Sequence, residues 1–207
     1  MRIMTKFAAT TLSVVALTLS TTTFAEVATG SQVPDMTITD SNGETHNLSD
    51  FEGKRVVLEW TNKGCPYVQK HYDSDNMQKL QKSATADGQT VWLTVISSAP
   101  GKQGYEDGES ANALIAEWDA APTKVILDPE GEMGKAFNAK TTPHMYVITP
   151  DQTLVYQGAI DDNRSSNPAT IEGAENYVAS ALADLEAGRP VATPESAPYG
   201  CSVKYKS

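Results

Sequence analysis

Two stretches of the chain are apolar at almost every position. Arg55–Trp60 (RVVLEW) and Thr90–Ile96 (TVWLTVI) predict strands buried on both faces, since a strand with one wet face would alternate. Lys124–Leu127 is a shorter third strand, ended by the turn residues Asp128-Pro129-Glu130-Gly131. Met36–Thr39 alternates like a strand and runs into the turn Ser41-Asn42-Gly43. Pro66 is favoured at a first helical position. Behind it Tyr67, Val68, Tyr72, Met77 and Leu80 fall loosely on one side, predicting a helix through about residue 83. Further helices are expected over Ala111–Trp118 and Glu132–Phe137, and over Gly173–Glu186, which Gly188 closes. His144–Thr149 and Thr153–Gln157 flank Pro150-Asp151-Gln152 as a hairpin. Ser97–Gly108 and Asn163–Thr170 are loops.

Helices alternating with buried strands, then an antiparallel hairpin, predict an α/β domain with a mixed central sheet covered by helices on both faces. One domain, residues 26–188, accounts for the pattern, and residues 189–207 form a proline-containing tail that carries Cys201. Residues 1–25 stand apart. Arg2 and Lys6 precede an uncharged stretch that ends Thr23-Phe24-Ala25, as in a cleaved signal peptide. Its many Ser and Thr residues make a stable membrane span the poorer reading. The expected location is therefore periplasmic or secreted, where a disulfide persists.

A formal charge of −10 over 207 residues disfavours nucleic acid and anionic membrane as partners, which need clustered Lys and Arg. Two cysteines make neither a disulfide scaffold nor a cysteine-based zinc knuckle. They do allow one disulfide.

Cys65 lies between a buried strand and a helix start, flanked by Gly64 and Pro66. Unpaired N–H groups and the helix dipole favour a thiolate there, the nucleophilic form of cysteine. A buried structural cysteine is the competing reading.

The stretch GKRVVLEWTNKGCPYVQKHYDSDNMQ resembles the thioredoxin-fold redoxins. It is closest to the peroxiredoxin-like branch, related to alkyl hydroperoxide reductase and thiol-specific antioxidant proteins, whose motif is Cys-Pro-Phe/Tyr-Val. The segment ILDPEGEMGKAFNAKTTPHMYVITPDQTLVYQGAIDD and the ending GCSVKY are similar as well. The resemblance implies a thioredoxin-like fold, a cis peptide at Thr142-Pro143 beside the active cysteine, and a role for Thr142 and Pro143 in holding a partner's backbone. It implies that Glu59 stands where thioredoxins bury a proton-carrying Asp. The competing reading has Glu59 facing Lys54, Arg55 or solvent. Two departures matter. Val68 replaces the second cysteine of Cys-x-x-Cys, and Asn62 and Leu58 stand where typical peroxiredoxins carry Thr and Pro.

Cys201 is the second sulfur. Three readings stay open: it resolves a Cys65 adduct, forms a static disulfide, or remains free. Trp60 either packs the core or walls the thiol site and its substrate. His71 is expected at the surface, and His144 either beside the cysteine or turned to the far face. Asp73, Asp75, Asp161 and Asp162 are expected as solvated loop charges, and no metal site is expected at any recognised spacing. Together these features predict an exported thiol oxidoreductase acting on disulfides or peroxides with an external thiol reductant and no bound cofactor. The rival is a non-catalytic binding domain with a structural Cys65–Cys201 disulfide.

Overall fold

The computed structural model describes residues 26–206, so the signal-peptide expectation for residues 1–25 lies outside the described residues. Seven strands form one sheet in the order β2-β1-β5-β4-β3-β7-β8. They are β1 (Thr37–Asp40), β2 (Thr45–Asn47), β3 (Arg55–Trp60), β4 (Thr90–Ile96), β5 (Lys124–Leu127), β7 (His144–Ile148) and β8 (Leu154–Gly158). The helices are α1 (Pro66–Tyr72), α2 (Asn76–Thr85), α3 (Gly108–Glu117), α4 (Glu132–Ala136) and α5 (Tyr177–Glu186). A separate two-strand ladder joins β6 (Thr141–Thr142) to β9 (Cys201–Ser202).

The two apolar runs are the sheet's centre. β3 and β4 pair in parallel from Arg55 opposite Thr90 to Trp60 opposite Val95, and β7 adds antiparallel to the other side of β3. Both faces are dry, which explains why the runs do not alternate. On one face Val57, Trp92, Met145 and Val147 pack with Val68 and Tyr72 of α1, Met77 of α2 and Val178 of α5. On the other, Val56, Leu58, Trp60, Val91 and Tyr146 pack with α4 residues and with Val27, Val33 and Met36. The sheet is mixed and covered on both faces, as the pattern predicts, and the fold is thioredoxin-like. The second cover is built as much from extended chain as from helix.

The single helix expected from Pro66 to about residue 83 is two. It breaks at Asp75, whose φ of 58° is left-handed and cannot continue a helix. The tail does not hang free. Gln157 N–H donates to Pro194 O and Ser196 N–H to Gln157 O, both at 3.1 Å, and Val203 N–H donates to Lys140 O at 3.1 Å. The tail thus runs along β8 and then over the end of the sheet.

Candidate active site

Cys65 caps α1 with extended backbone (φ −92°, ψ 119°). The turn before it is held by Asn62, whose Oδ1 accepts Gly64 N–H at 2.9 Å and whose Nδ2 donates to Gln103 O at 3.0 Å. Gly104 is required opposite: a Cβ there would lie 2.2 Å from Asn62 Oδ1, and its φ is +77°. The Cys65 residue is 0% exposed.

The Thr142-Pro143 peptide is cis, as the resemblance implies, and Thr142 is buried against the sulfur. The Cys65 thiol donates to Thr142 O at 3.0 Å. Thr142 also pairs antiparallel with Cys201, which brings the second thiol of the chain to the first. Gly200 makes this approach feasible. A Cβ on it would stand 2.0 Å from Thr142 O, and its φ is +134°, so only glycine fits.

The two thiols are unequal. Burial pushes the Cys65 pKa up, but the Cys201 thiol beside it, with Thr142 and the Cys201 backbone of the β6–β9 ladder, outweighs burial and holds it below the ordinary cysteine value. The Thr142 hydroxyl is buried without a hydrogen-bond partner. Burial raises Cys201 to about 11, and its hydrogen bond to Cys65 adds to the rise. When a proton leaves the pair, it leaves Cys65, and Cys201 stays a donor to the resulting thiolate. A helix start alone was the sequence argument for this thiolate. In the structure the Cys65 side chain makes no cap hydrogen bond to α1, whose Val68 N–H goes instead to Cys65 O at 3.0 Å, and the β6–β9 ladder brings the stabilising partner.

Glu59 is fully buried on the α1 face of the sheet, not at Lys54, Arg55 or solvent. Tyr72 OH donates to its Oε1 at 2.7 Å. Trp92 Nε1, Gln81 Nε2 and Thr94 Oγ1 donate to Oε2 at 2.8, 3.1 and 3.1 Å. Burial still wins and its pKa is raised. Its four donors leave no direct bond to either sulfur, so any proton it handles must move through Tyr72 or a rearranged partner.

Trp60 faces the other way. It is 0% exposed, sits among Phe137 and Tyr146 at ring distances of 5.6 and 5.0 Å, and donates to Ser97 Oγ at 2.9 Å. Strand alternation puts it on the face opposite the Cys65 cluster, so of its two readings Trp60 packs the core and does not wall the substrate, which corrects its place among the substrate-binding candidates. His144 follows the same alternation to that far face. Its Nδ1 is held by Lys140 N–H at 3.2 Å and faces Tyr146 OH at 3.0 Å.

Two surface expectations are overturned. His71 is 0% exposed and Asp161 is 3% exposed, because the tail and the chain after β8 cover that side of α1. Asp161 accepts from Lys70 Nζ at 3.2 Å and from Tyr199 OH. Lys70, at 1% exposed, and Tyr199 were missed by sequence reasoning, and only their partnership explains their burial. Asp73, Asp75 and Asp162 are exposed as expected. Asp40, Glu44 and His46 cluster, but Lys124 Nζ sits on both carboxylates at 2.9 and 3.3 Å and supplies their positive charge.

A thioredoxin-like sheet, a cysteine capping the helix after its central strand and a cis-proline beside that cysteine define a protein of the thioredoxin class with its second thiol in the tail. The family model for redoxins matches residues 28–177, and the chain belongs to the Redoxin family. It is 32% identical over 140 residues to the thiol-disulfide oxidoreductase ResA of Geobacillus kaustophilus, covering 66% of this chain and 74% of that protein. In fold it is similar to an uncharacterized conserved protein from Geobacillus kaustophilus (TM-score 0.74, 24% identity, 86% of this chain and 93% of that one). It is also similar to a hypothetical protein from Sinorhizobium meliloti 1021 (TM-score 0.72, 19% identity, 88% and 97%).

Proposed function

We propose that this chain is an exported thiol–disulfide oxidoreductase in which Cys65 is the nucleophile and Cys201 the resolving cysteine. The observation that carries the reading is the placement of the second thiol: the β6–β9 ladder pairs Cys201 with Thr142, the residue whose carbonyl oxygen accepts from the Cys65 thiol at 3.0 Å. A Cys65 thiolate attacks one sulfur of a partner disulfide and expels the other as a thiolate. Cys201 then attacks the Cys65 sulfur, releases the partner's remaining cysteine and closes the Cys65–Cys201 bond. An external dithiol returns the two electrons. Glu59 is the proton reservoir under α1, and Thr142 and Pro143 hold the partner. The relation to a thiol-disulfide oxidoreductase and the leader-like residues 1–25 support this assignment and its oxidising compartment. Hydroperoxide is the poorer oxidant for this site, because Asn62, at the position where peroxiredoxins carry Thr, spends its side chain on Gly64 and Gln103.

The test is turnover of a protein disulfide with a dithiol donor. Cys65→Ser is expected to abolish it, and Cys201→Ser to stop after one event with a mixed disulfide on Cys65. Full turnover by Cys65→Ser refutes the reading. A Cys65–Cys201 potential below about −300 mV would favour a static bond and the binding-domain reading instead.

A further inference from the structure

The sulfur assigned above as nucleophile is sealed, and the tail is part of the seal. Cys65 is 0% exposed, while β9 lies across it, pairing Cys201 with Thr142 and Ser202 with Thr141. Around that two-residue ladder the tail is fastened by side chains. Ser196 Oγ meets Tyr156 OH at 2.7 Å and accepts Ala159 N–H at 2.9 Å. Tyr199 is buried, bonds Asp161 and packs on the Tyr67 ring of α1 at 5.7 Å. Beyond the ladder, Lys204 O accepts Ala99 N–H at 2.9 Å and Tyr205 OH donates to Ala139 O at 2.7 Å. This strap follows the stretch matched by the family, residues 28–177.

The strap has the form of a ligand. It is an extended chain, hydrogen-bonded edge-on through its backbone, with one cysteine aimed at the nucleophile. A second polypeptide cannot bring its own cysteine to Cys65 while this one occupies the edge. We propose that Tyr199–Ser202 is a tethered stand-in for the substrate strand: partner polypeptides reach Cys65 by displacing it, and the seat they take over selects a glycine immediately before the partner's cysteine.

The selection follows from the tail's own fit. At Gly200, the residue before Cys201, any Cβ would stand 2.0 Å from Thr142 O and 3.4 Å from Pro143 N. Both atoms belong to the β6 edge and its cis-proline, not to a flexible side chain, so they do not give way. A partner strand in the same register meets the same wall. In the exchange Cys65 bonds to the partner's cysteine and expels the partner's other sulfur, which takes up a proton. The tail then returns, and Cys201 displaces the partner's cysteine as it closes the bond to Cys65. The two electrons pass from the Cys65–Cys201 dithiol to the partner.

This inference rests on Cys65 being the nucleophile, and the experiment separates the two. The reduced full chain is mixed with two extended peptides, each carrying one cysteine as a mixed disulfide with thionitrobenzoate. They differ only in Gly or Ala before that cysteine. Thionitrobenzoate release reads the first attack, with dithiothreitol giving each peptide's intrinsic rate. Relative to that rate, the Gly peptide is expected to react at least about tenfold faster than the Ala peptide. Tyr199→Phe, which removes the bond to Asp161, is expected to speed the Gly peptide several-fold by loosening the competitor. Ser196→Ala weakens the same strap from another point and carries the same expectation if Tyr199→Phe does not fold. Equal rates for the two peptides, or no acceleration in the variant that folds, overturn the proposal while leaving the Cys65 chemistry standing. Release at the wild-type rate in Cys65→Ser, which still carries the Cys201 thiol, refutes the Cys65 chemistry itself.

Discussion

Removing the Cys201 thiol tests the origin of the Cys65 thiolate. In the structure Cys65 is buried, which by itself favours the neutral thiol, and its low pKa depends on donors that outweigh burial. Cys201→Ala withdraws the S–H donor but keeps the Cys201 N–H in the β6–β9 ladder. A hydrogen bond to a charged group is worth about 1.5–3 kcal/mol. A thiol is a weak donor, so the lower end applies, and at 1.36 kcal/mol per unit the Cys65 pKa should rise by about 1 unit. Cys201→Ser supplies a hydroxyl donor in the same place and should leave Cys65 close to its wild-type value. The assay is an NMR titration of the β-carbons in protein carrying labelled cysteine. The reduced wild type is expected to show two steps, Cys65 below the ordinary cysteine value and Cys201 near 11. A Cys65 midpoint in Cys201→Ala at or below that of the wild type would refute the argument, and would return the thiolate to the helix start alone.

Three further outcomes are expected. Glu59 has a raised folded pKa, so its share of stability is fully present below the unfolded value and is lost as pH rises through the folded one. Denaturant midpoints for Glu59→Gln should not show that decline, and equal slopes for the two proteins count against it. His71 and His144 are lowered by burial to about 4 and about 3. Their contributions are therefore complete above pH ~6.5 and vanish as pH falls through the folded values, amounting at the limit to about 3 and about 5 kcal/mol. His71→Asn and His144→Asn should each flatten the acid limb of the stability profile, and an unchanged limb in both contradicts their burial as neutral rings. Gly200→Ala forces a Cβ against Thr142 O and should unseat the tail. Proteolysis is expected to trim residues after Gly188 faster while the domain's melting temperature moves by only a few degrees.

The strands of the sheet's centre were legible because burial on both faces leaves a local signature. Arg55–Trp60, Thr90–Ile96 and Lys124–Leu127 have their predicted bounds. The two-residue strands β6 and β9 left no such mark, since a ladder that short has no period to read. The break at Asp75 was hidden because a left-handed residue inside a loosely amphipathic stretch resembles any polar position. Trp60 and His144 each stayed open between two placements, because an all-apolar strand does not say which side of the sheet each residue takes. Once the register is known, with Trp60 opposite His144 in β3–β7, both fall on the face away from Cys65.

The sequence by itself determined the α/β class, the cysteine at the head of a helix, the proline that follows Thr142, and the tail as carrier of the second thiol. These are local: each depends on hydrophobic period, on a residue's backbone preference, or on a motif of neighbouring residues. The tertiary structure alone decided that Cys201 lies against Cys65, that Glu59 is surrounded by four donors, and that Lys70, His71, Asp161 and Tyr199 are buried together. The physical reason is that a polar group's state depends on its partners, and these partners come from segments far apart in the chain. Asp161 looks like a solvated loop charge until Lys70 and Tyr199 close over it, and the acidity of Cys65 is set by a strand that begins 136 residues later.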